Sequence, residues 1–189
     1  SQYHSALRHF EQGWSLAREV ADPKALRSIS TFSTFFLYWQ GRFQEAVRTY
    51  EKNVSDVDKF PRGSFPLLAG IMLGQCYAFT GQITQGLGML DAIRNHCLER
   101  GDLFLAANAE GTMGGILLDI RRMDEAIQYL EKAMEKARQE HNDLVQILAN
   151  LSLAQAYYLL SEPKRSTVYL KAFLEQARRV KMTVQLYPC

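Results

Sequence analysis

Small and large residues recur in this chain at a fixed interval of 40, and that register decides most of what the chain can become. Around Gly81 the sequence reads Leu73-Gly-Gln-Cys-Tyr77-Ala-Phe-Thr-Gly81-Gln-Ile83-Thr-Gln-Gly86: the end of one helix, a tight turn and the start of a second. Gly74 and Gly86 let two backbones approach, and Tyr77 and Ile83 fill the space beside them. Stepping by 40 from Gly81 gives Ser1, Gly41, Arg121 and Ser161 as the equivalent turns. Five residues past each turn stand Ala6, Ala46, Gly86, Ala126 and Ser166, all small. Nine past stand Phe10, Tyr50, Leu90, Leu130 and Leu170, all large and apolar. Two past stand Tyr3, Phe43, Ile83, Met123 and Pro163, where the proline departs. Ahead of the turns, Leu37, Tyr77, Leu117 and Tyr157 are large, and Thr34, Gly74, Gly114 and Ala154 are small. A helix pair cannot bury its apolar face alone, so a register held across the whole chain predicts stacked tandem repeats.

The pattern predicts an all-α chain of about nine helices: 2–20, 24–39, 42–58, 64–79, 82–99, 103–119, 122–140, 143–160 and 163–180. No segment alternates long enough to predict a strand. Asp102 and Asn142, with Asp22-Pro23, mark first-helix starts. At the second repeat Arg62 takes that slot, so Ser64 is expected to cap slightly later. The expected organisation is one domain over 1–189. It has a half repeat at 1–20, repeats at about 22–60, 62–100, 102–140 and 142–180, and a tail at 181–189. The chain opens without Met and on a second-type helix, so a piece of a longer array is expected.

The order small, three residues, large apolar, three residues, Gly, then aromatic two on and Ala five on resembles the tetratricopeptide repeat. Gly41-Arg-Phe43-Gln-Glu-Ala46 and Met123-Asp-Glu-Ala126 carry it well, as do Leu73-Gly74 with Tyr77 and Leu153-Ala154 with Tyr157. The period of 40 exceeds the usual ~34; Arg121, Pro163 and Ser166 also depart from the pattern. The resemblance implies a right-handed superhelical solenoid of antiparallel helix pairs. The long period is similar to sensor arrays of large bacterial transcription regulators and to partner-binding arrays of kinesin light chains. It further implies that first helices line a concave face. By register these positions are Ser28, Thr31, Phe35 and Tyr38; Leu68, Ile71, Gln75 and Ala78; Asn108, Gly111, Gly115 and Leu118; and Leu148, Leu151, Gln155 and Tyr158. The face carries no Lys or Arg, which argues against the family's clamp for acidic chaperone tails. An apolar groove with Gln75, Asn108 and Gln155 suits an extended or helical peptide; packing against the chain itself is the alternative.

The remaining residues give no sign of catalysis. His4, His9, His96 and His141 are scattered, and His96 and Cys97 diverge by about 100° on a helix. Cys76, Cys97 and Cys189 lack paired spacing, which fits a reducing cytoplasm. Asp124 and Glu125 suit a helix start. Gly111, Gly114 and Gly115 follow no phosphate-loop pattern; inside a helix they cost about 2–3 kcal/mol together. With 22 basic and 20 acidic residues well mixed, there is no electrostatic footprint for nucleic acid or lipid. The apolar run Phe35–Trp39 is too short to span a membrane. The expectation is a non-catalytic module, without cofactor or metal, that binds a protein or peptide partner or a flanking domain of its own polypeptide. A bacterial signalling or transcription regulator is the expected setting, and a receptor for a small peptide or small-molecule effector in the concave groove is the alternative.

Overall fold

The computed structural model describes residues 2–21, 23–53 and 64–180. Among the described residues are nine helices and no strand: α1 (Gln2–Val20), α2 (Pro23–Trp39), α3 (Phe43–Asn53), α4 (Ser64–Phe79), α5 (Ile83–Glu99), α6 (Leu103–Asp119), α7 (Met123–Gln139), α8 (Asp143–Leu159) and α9 (Pro163–Arg179). The register-based boundaries agree to within a residue, except that the expected end of α3 falls at 54–58. That stretch, Asp22, the Arg62 slot and the tail 181–189 with Cys189 lie outside the described residues, as does the Ser64 side chain.

The helices stop at a repeating backbone device. Ala21, Gly41, Gly81, Gly101, Arg121, His141 and Ser161 all have positive φ, between 51° and 88°. They are spaced by 20 residues, or by 40 where Pro61 lies outside the described residues. After each such residue from Gly41 on, the next N–H reaches back to the carbonyl five positions earlier: Arg42 to Leu37, Gln82 to Tyr77, Asp102 to Cys97, Arg122 to Leu117, Asn142 to Ala137 and Glu162 to Tyr157, at 2.8–2.9 Å. The left-handed residue itself donates to the carbonyl three back, as Gly81 does to Ala78 at 3.0 Å. These two bonds make up the Schellman motif, which satisfies carbonyls that a helix end otherwise leaves unpaired. The residue closing one helix also opens the next. Asp102 accepts from the Leu105 N–H and Asn142 from the Val145 N–H, as expected of N-caps. The register therefore tolerates Arg121, because the turn needs a left-handed φ rather than glycine as such. Pro163 fits as the first residue of α9, where a missing N–H costs nothing.

The chain forms two compact units, Ser1–Met89 and Leu90–Cys189, the division falling inside α5. In the first, α4 runs antiparallel to the start of α5. A Cβ on Gly86 would lie 2.4 Å from the Gly74 carbonyl oxygen and 3.1 Å from the Ala78 nitrogen. Ala46, Val47, Leu73, Cys76 and Tyr77 form the core here, with Leu37, Phe43, Tyr50 and Met89 packed against it. In the second unit, Ala107 meets Ala133 and Ala137 while Gly114 meets Leu130 and Ala126, so α6 and α7 are antiparallel. The same holds for α8 and α9. Asp143 pairs with Arg179, Tyr157 stacks on Tyr169 at 5.5 Å, and Ser166 Oγ donates to the Ala154 carbonyl at 2.8 Å. That last bond explains why serine serves at a position held elsewhere by Ala or Gly.

The in-helix glycines separate on the same measure. A Cβ on Gly114 would sit 2.6 Å from Leu130 Cγ, whereas one on Gly115 would meet nothing within 4 Å. Gly86→Ala is expected to cost about 1–3 kcal/mol through backbone overpacking. Gly115→Ala is expected to gain up to about 1 kcal/mol of helix propensity. Urea unfolding followed by circular dichroism measures both, and equal signs for the two variants would contradict the packing described.

Candidate functional site: an apolar face on α6 and α8

A helical row spaced four, three, four and three residues lies on one side of a helix. On α8 that row is Leu144, Leu148, Leu151, Gln155 and Tyr158. All five are exposed, Leu148 at 50%, Leu151 at 39% and Tyr158 at 72%. The matching row on α6 is Phe104, Asn108, Gly111 and Gly115. Phe104 is 45% exposed and the other three are half-buried. The two helices meet where a Cβ on Gly111 would lie 3.7 Å from Val145 Cγ1, and the space over Gly115 is open. Asn108 Nδ2 donates to the Phe104 carbonyl at 2.8 Å, and Thr112 Oγ1 to the Asn108 carbonyl at 2.9 Å. The result is an apolar face with a glycine floor on one side and leucines and a tyrosine on the other.

The first unit places its register positions differently. Ile71 is 3% exposed and belongs to the core, so it offers nothing to a partner. Tyr38 and Gln75 are half-buried and joined, the phenol donating to Gln75 Oε1 at 2.7 Å across α2 and α4. Burial pushes the Tyr38 phenol up. Phe35 packs edge-on to Phe36 and Trp39, and Leu68 is half-buried. The side chains of Ser28 and Thr31 lie outside the described residues. Leu118 is buried, and Ala78 is half-buried against Gly86.

Sequence reasoning missed a set of buried polar pairs. Glu110 on α6 is 2% exposed, and Lys136 Nζ lies 3.1 Å from its Oε1 and 2.9 Å from its Oε2. Forty residues on, the same two positions hold Asn150 and Gln176, joined at 2.8 Å. Gln176 Nε2 in turn donates to Gln146 Oε1 at 2.9 Å, and Gln146 Nε2 to the Ala137 carbonyl at 3.0 Å. The step of 40 from Glu110 and Lys136 was the available signal.

Among the described residues no three His, Cys, Asp or Glu side chains stand together as a metal site. Cys76 and Cys97 are fully buried, and burial pushes their thiols up to about 12 and about 11. Asp124 and Glu125 lie in the first turn of α7, with Glu125 on Arg122. No helix among the described residues is long and apolar enough to cross a membrane.

Antiparallel pairs at a 40-residue period, with small residues at the crossings and Schellman turns between, define a tetratricopeptide-like helical repeat. No protein-family model matches the chain. Its relatives include outer dynein arm-docking complex subunit 4 of mouse, 25% identical over 186 residues, covering 96% of this chain and 29% of that protein. The human and bovine proteins of that name are each 24% identical, covering 93% and 95% of this chain and 26% of their own length. The chain thus spans under a third of these relatives. Two solved structures of MamA, MSR-1 and AMB-1, match at TM-scores of 0.36 and 0.35, each 18% identical. They cover 82% and 86% of this chain and 98% of theirs. A superposition that loose carries no argument.

Removing one partner from a buried ion pair strands the other charge. Lys136→Met is expected to cost about 3 kcal/mol, with much of that recovered by adding Glu110→Leu; urea unfolding of the two variants and the wild type checks this. Because the thiolate is the reactive form, a Cys189→Ser variant should react with Ellman's reagent at pH 8 only after denaturation, releasing both buried thiols. A fast-reacting thiol in the folded protein would contradict the burial.

Proposed function

We propose that this chain is a non-catalytic protein-interaction module that receives a helical or extended segment of a partner on the face formed by α6 and α8. The observation that carries the reading is the exposed row Leu144, Leu148, Leu151 and Tyr158 beside the open space over Gly115. Large apolar side chains in one exposed row mark interaction surfaces on soluble domains. An amphipathic helix laid in a groove recognises such a row through anchors at matching spacing. The repeat scaffold holds these side chains in place before a partner arrives, so little ordering entropy is lost on binding.

The named relatives support a docking role. They are subunits of a docking complex, and they align with this chain over nearly its whole length. We therefore read the module as part of a protein that brings other proteins together. The bacterial regulatory setting rested on repeat length alone, and these relatives are mammalian. A reading as a receptor for a small effector has less behind it, because the face on α6 and α8 is open rather than enclosing.

The test uses peptides selected from a displayed library of amphipathic helices on the full chain. The double variant Leu148→Asp, Leu151→Asp changes side chains that are already exposed, so its melting temperature should stay close to that of the wild type. Selected peptides should bind it at least about 100-fold more weakly, a loss of about 2.7 kcal/mol. Undiminished binding to a folded double variant would sink the assignment.

A further inference from the structure

The first unit contains a cleft of about 420 Å³ lined by α1, α2 and α3. That volume lies within the ordinary range of ligand sites. Its floor is aromatic: Phe10 and Phe36 are in contact at 4.8 Å between ring centres, and Trp14 lies next to Phe10. Its rim is charged, with Arg18, Arg42 and Lys52 set against Glu11 and Glu45. Glu45 is engaged by Arg42 at 2.6 Å, and the Arg18 guanidinium lies 5.1 Å from the centre of the Trp14 ring. Three cations against two carboxylates leave the rim one positive charge in excess.

The repeat register gives this cleft an equivalent set of positions in the second unit. A step of 80 carries its lining onto the second unit, where four of the five rim charges are kept and Arg18 becomes Leu98: Glu11 becomes Asp91, Arg42 becomes Arg122, Glu45 becomes Glu125 and Lys52 becomes Lys132. Even the ion pair from Arg42 to Glu45 recurs between Arg122 and Glu125, at 2.5 Å. The aromatic floor changes, with Phe10 becoming Leu90 and Phe36 becoming Ile116, and two further exchanges place an aromatic ring on the opposite helix. Trp14 corresponds to Arg94, and Thr49 corresponds to Tyr129. In the second unit Arg94 Nη1 donates to the Tyr129 phenol oxygen at 3.2 Å, its guanidinium lies 5.7 Å from the ring centre, and Lys132 Nζ lies 5.5 Å away. A tyrosine ring between cations thus occupies the place that threonine, three ring carbons and a hydroxyl shorter in reach, leaves open in the first unit.

We propose that the cleft between α1, α2 and α3 binds a tyrosine side chain presented by an acidic segment of a protein partner. The ring takes the place that Tyr129 holds in the other unit and packs against Trp14 and Phe36, where aromatic pairs favour edge-on or offset contact. Carboxylates beside it in the partner meet Arg18 and Lys52 on the rim. This site is separate from the face on α6 and α8, and its test does not depend on that reading.

The test uses the full chain carrying Trp39→Phe, which leaves Trp14 as the only tryptophan. The probe is the capped tripeptide acetyl-Glu-Tyr-Glu-amide, with acetyl-Glu-Ala-Glu-amide as control, read by Trp14 fluorescence. The tyrosine peptide should give a saturable change that weakens with added salt, and the alanine peptide should bind at least about tenfold more weakly. Thr49→Tyr, which supplies the ring from within, should reduce binding about tenfold while keeping or raising the melting temperature. Should that variant fail to fold, Lys52→Glu carries the same test, with an expected loss of several-fold and an unchanged melting temperature. Equal binding of the two peptides, no saturation in the millimolar range, or full binding by a folded Thr49→Tyr or Lys52→Glu variant overturns the proposal.

Discussion

Helix length is the constraint on which the other features rest, and it is set by where the backbone turns left-handed. Among the described residues, a residue of positive φ at Gly41 and at every twentieth position from Gly81 to Ser161 lets a pair of N–H groups close the helix behind it. With three residues given to each turn, α2 and α5 through α9 all come out at 17 residues, about 26 Å at a rise of 1.5 Å per residue. Equal helices present the same faces at the same heights, which is why small residues meet large ones repeat after repeat. The conformation costs a residue other than glycine about 1–2 kcal/mol. Arg121, His141 and Ser161 nevertheless adopt it, so the satisfied carbonyls and the correct exit direction outweigh that cost.

Upon this regular frame, local side-chain choices decide what each face does. Position 71 on α4, 111 on α6 and 151 on α8 are equivalent in the repeat, yet Ile71 is core, Gly111 is half-buried and Leu151 is exposed. The adjoining first helices differ in bulk as well. Alongside α4, α2 carries Phe35 and Tyr38, and Tyr38 reaches across to Gln75. Alongside α8, α6 carries glycines that reach nowhere. An open apolar face and an enclosed core thus arise from one register, and the same logic opens a cleft at Thr49 where Tyr129 fills the corresponding space.

The sequence made the helices, turns and crossings legible because all of them depend on residue size at fixed spacing. Gly86 against Gly74 could be read directly, and the structure places them in backbone contact. Exposure was not legible in the same way, since it depends on how far neighbouring side chains extend across a gap that the register does not describe. Ile71 on the expected row lies in the core, whereas Leu148 and Leu151 lie open. The polar pairs were overlooked because Glu110 and Asn150 share a position but not a chemistry, and a search for like residues passes over them.

Those pairs bear on how such a chain avoids confusing its own parts. Helices of equal length and similar pattern are interchangeable as far as apolar packing goes, so a second helix has more than one plausible first helix to join. Lys136 finds a carboxylate only on α6; placed against α8 in the same register it would meet the Asn150 amide, and Glu110 would be left buried without a counter-charge. Gln176, placed against α6, would meet that carboxylate and lose the amide relay through Gln146. Each exchange strands a polar group in the core, at a cost of several kcal/mol when the group is charged. The buried polar residues thereby give α6–α7 and α8–α9 different chemistries, and each second helix matches its own first helix.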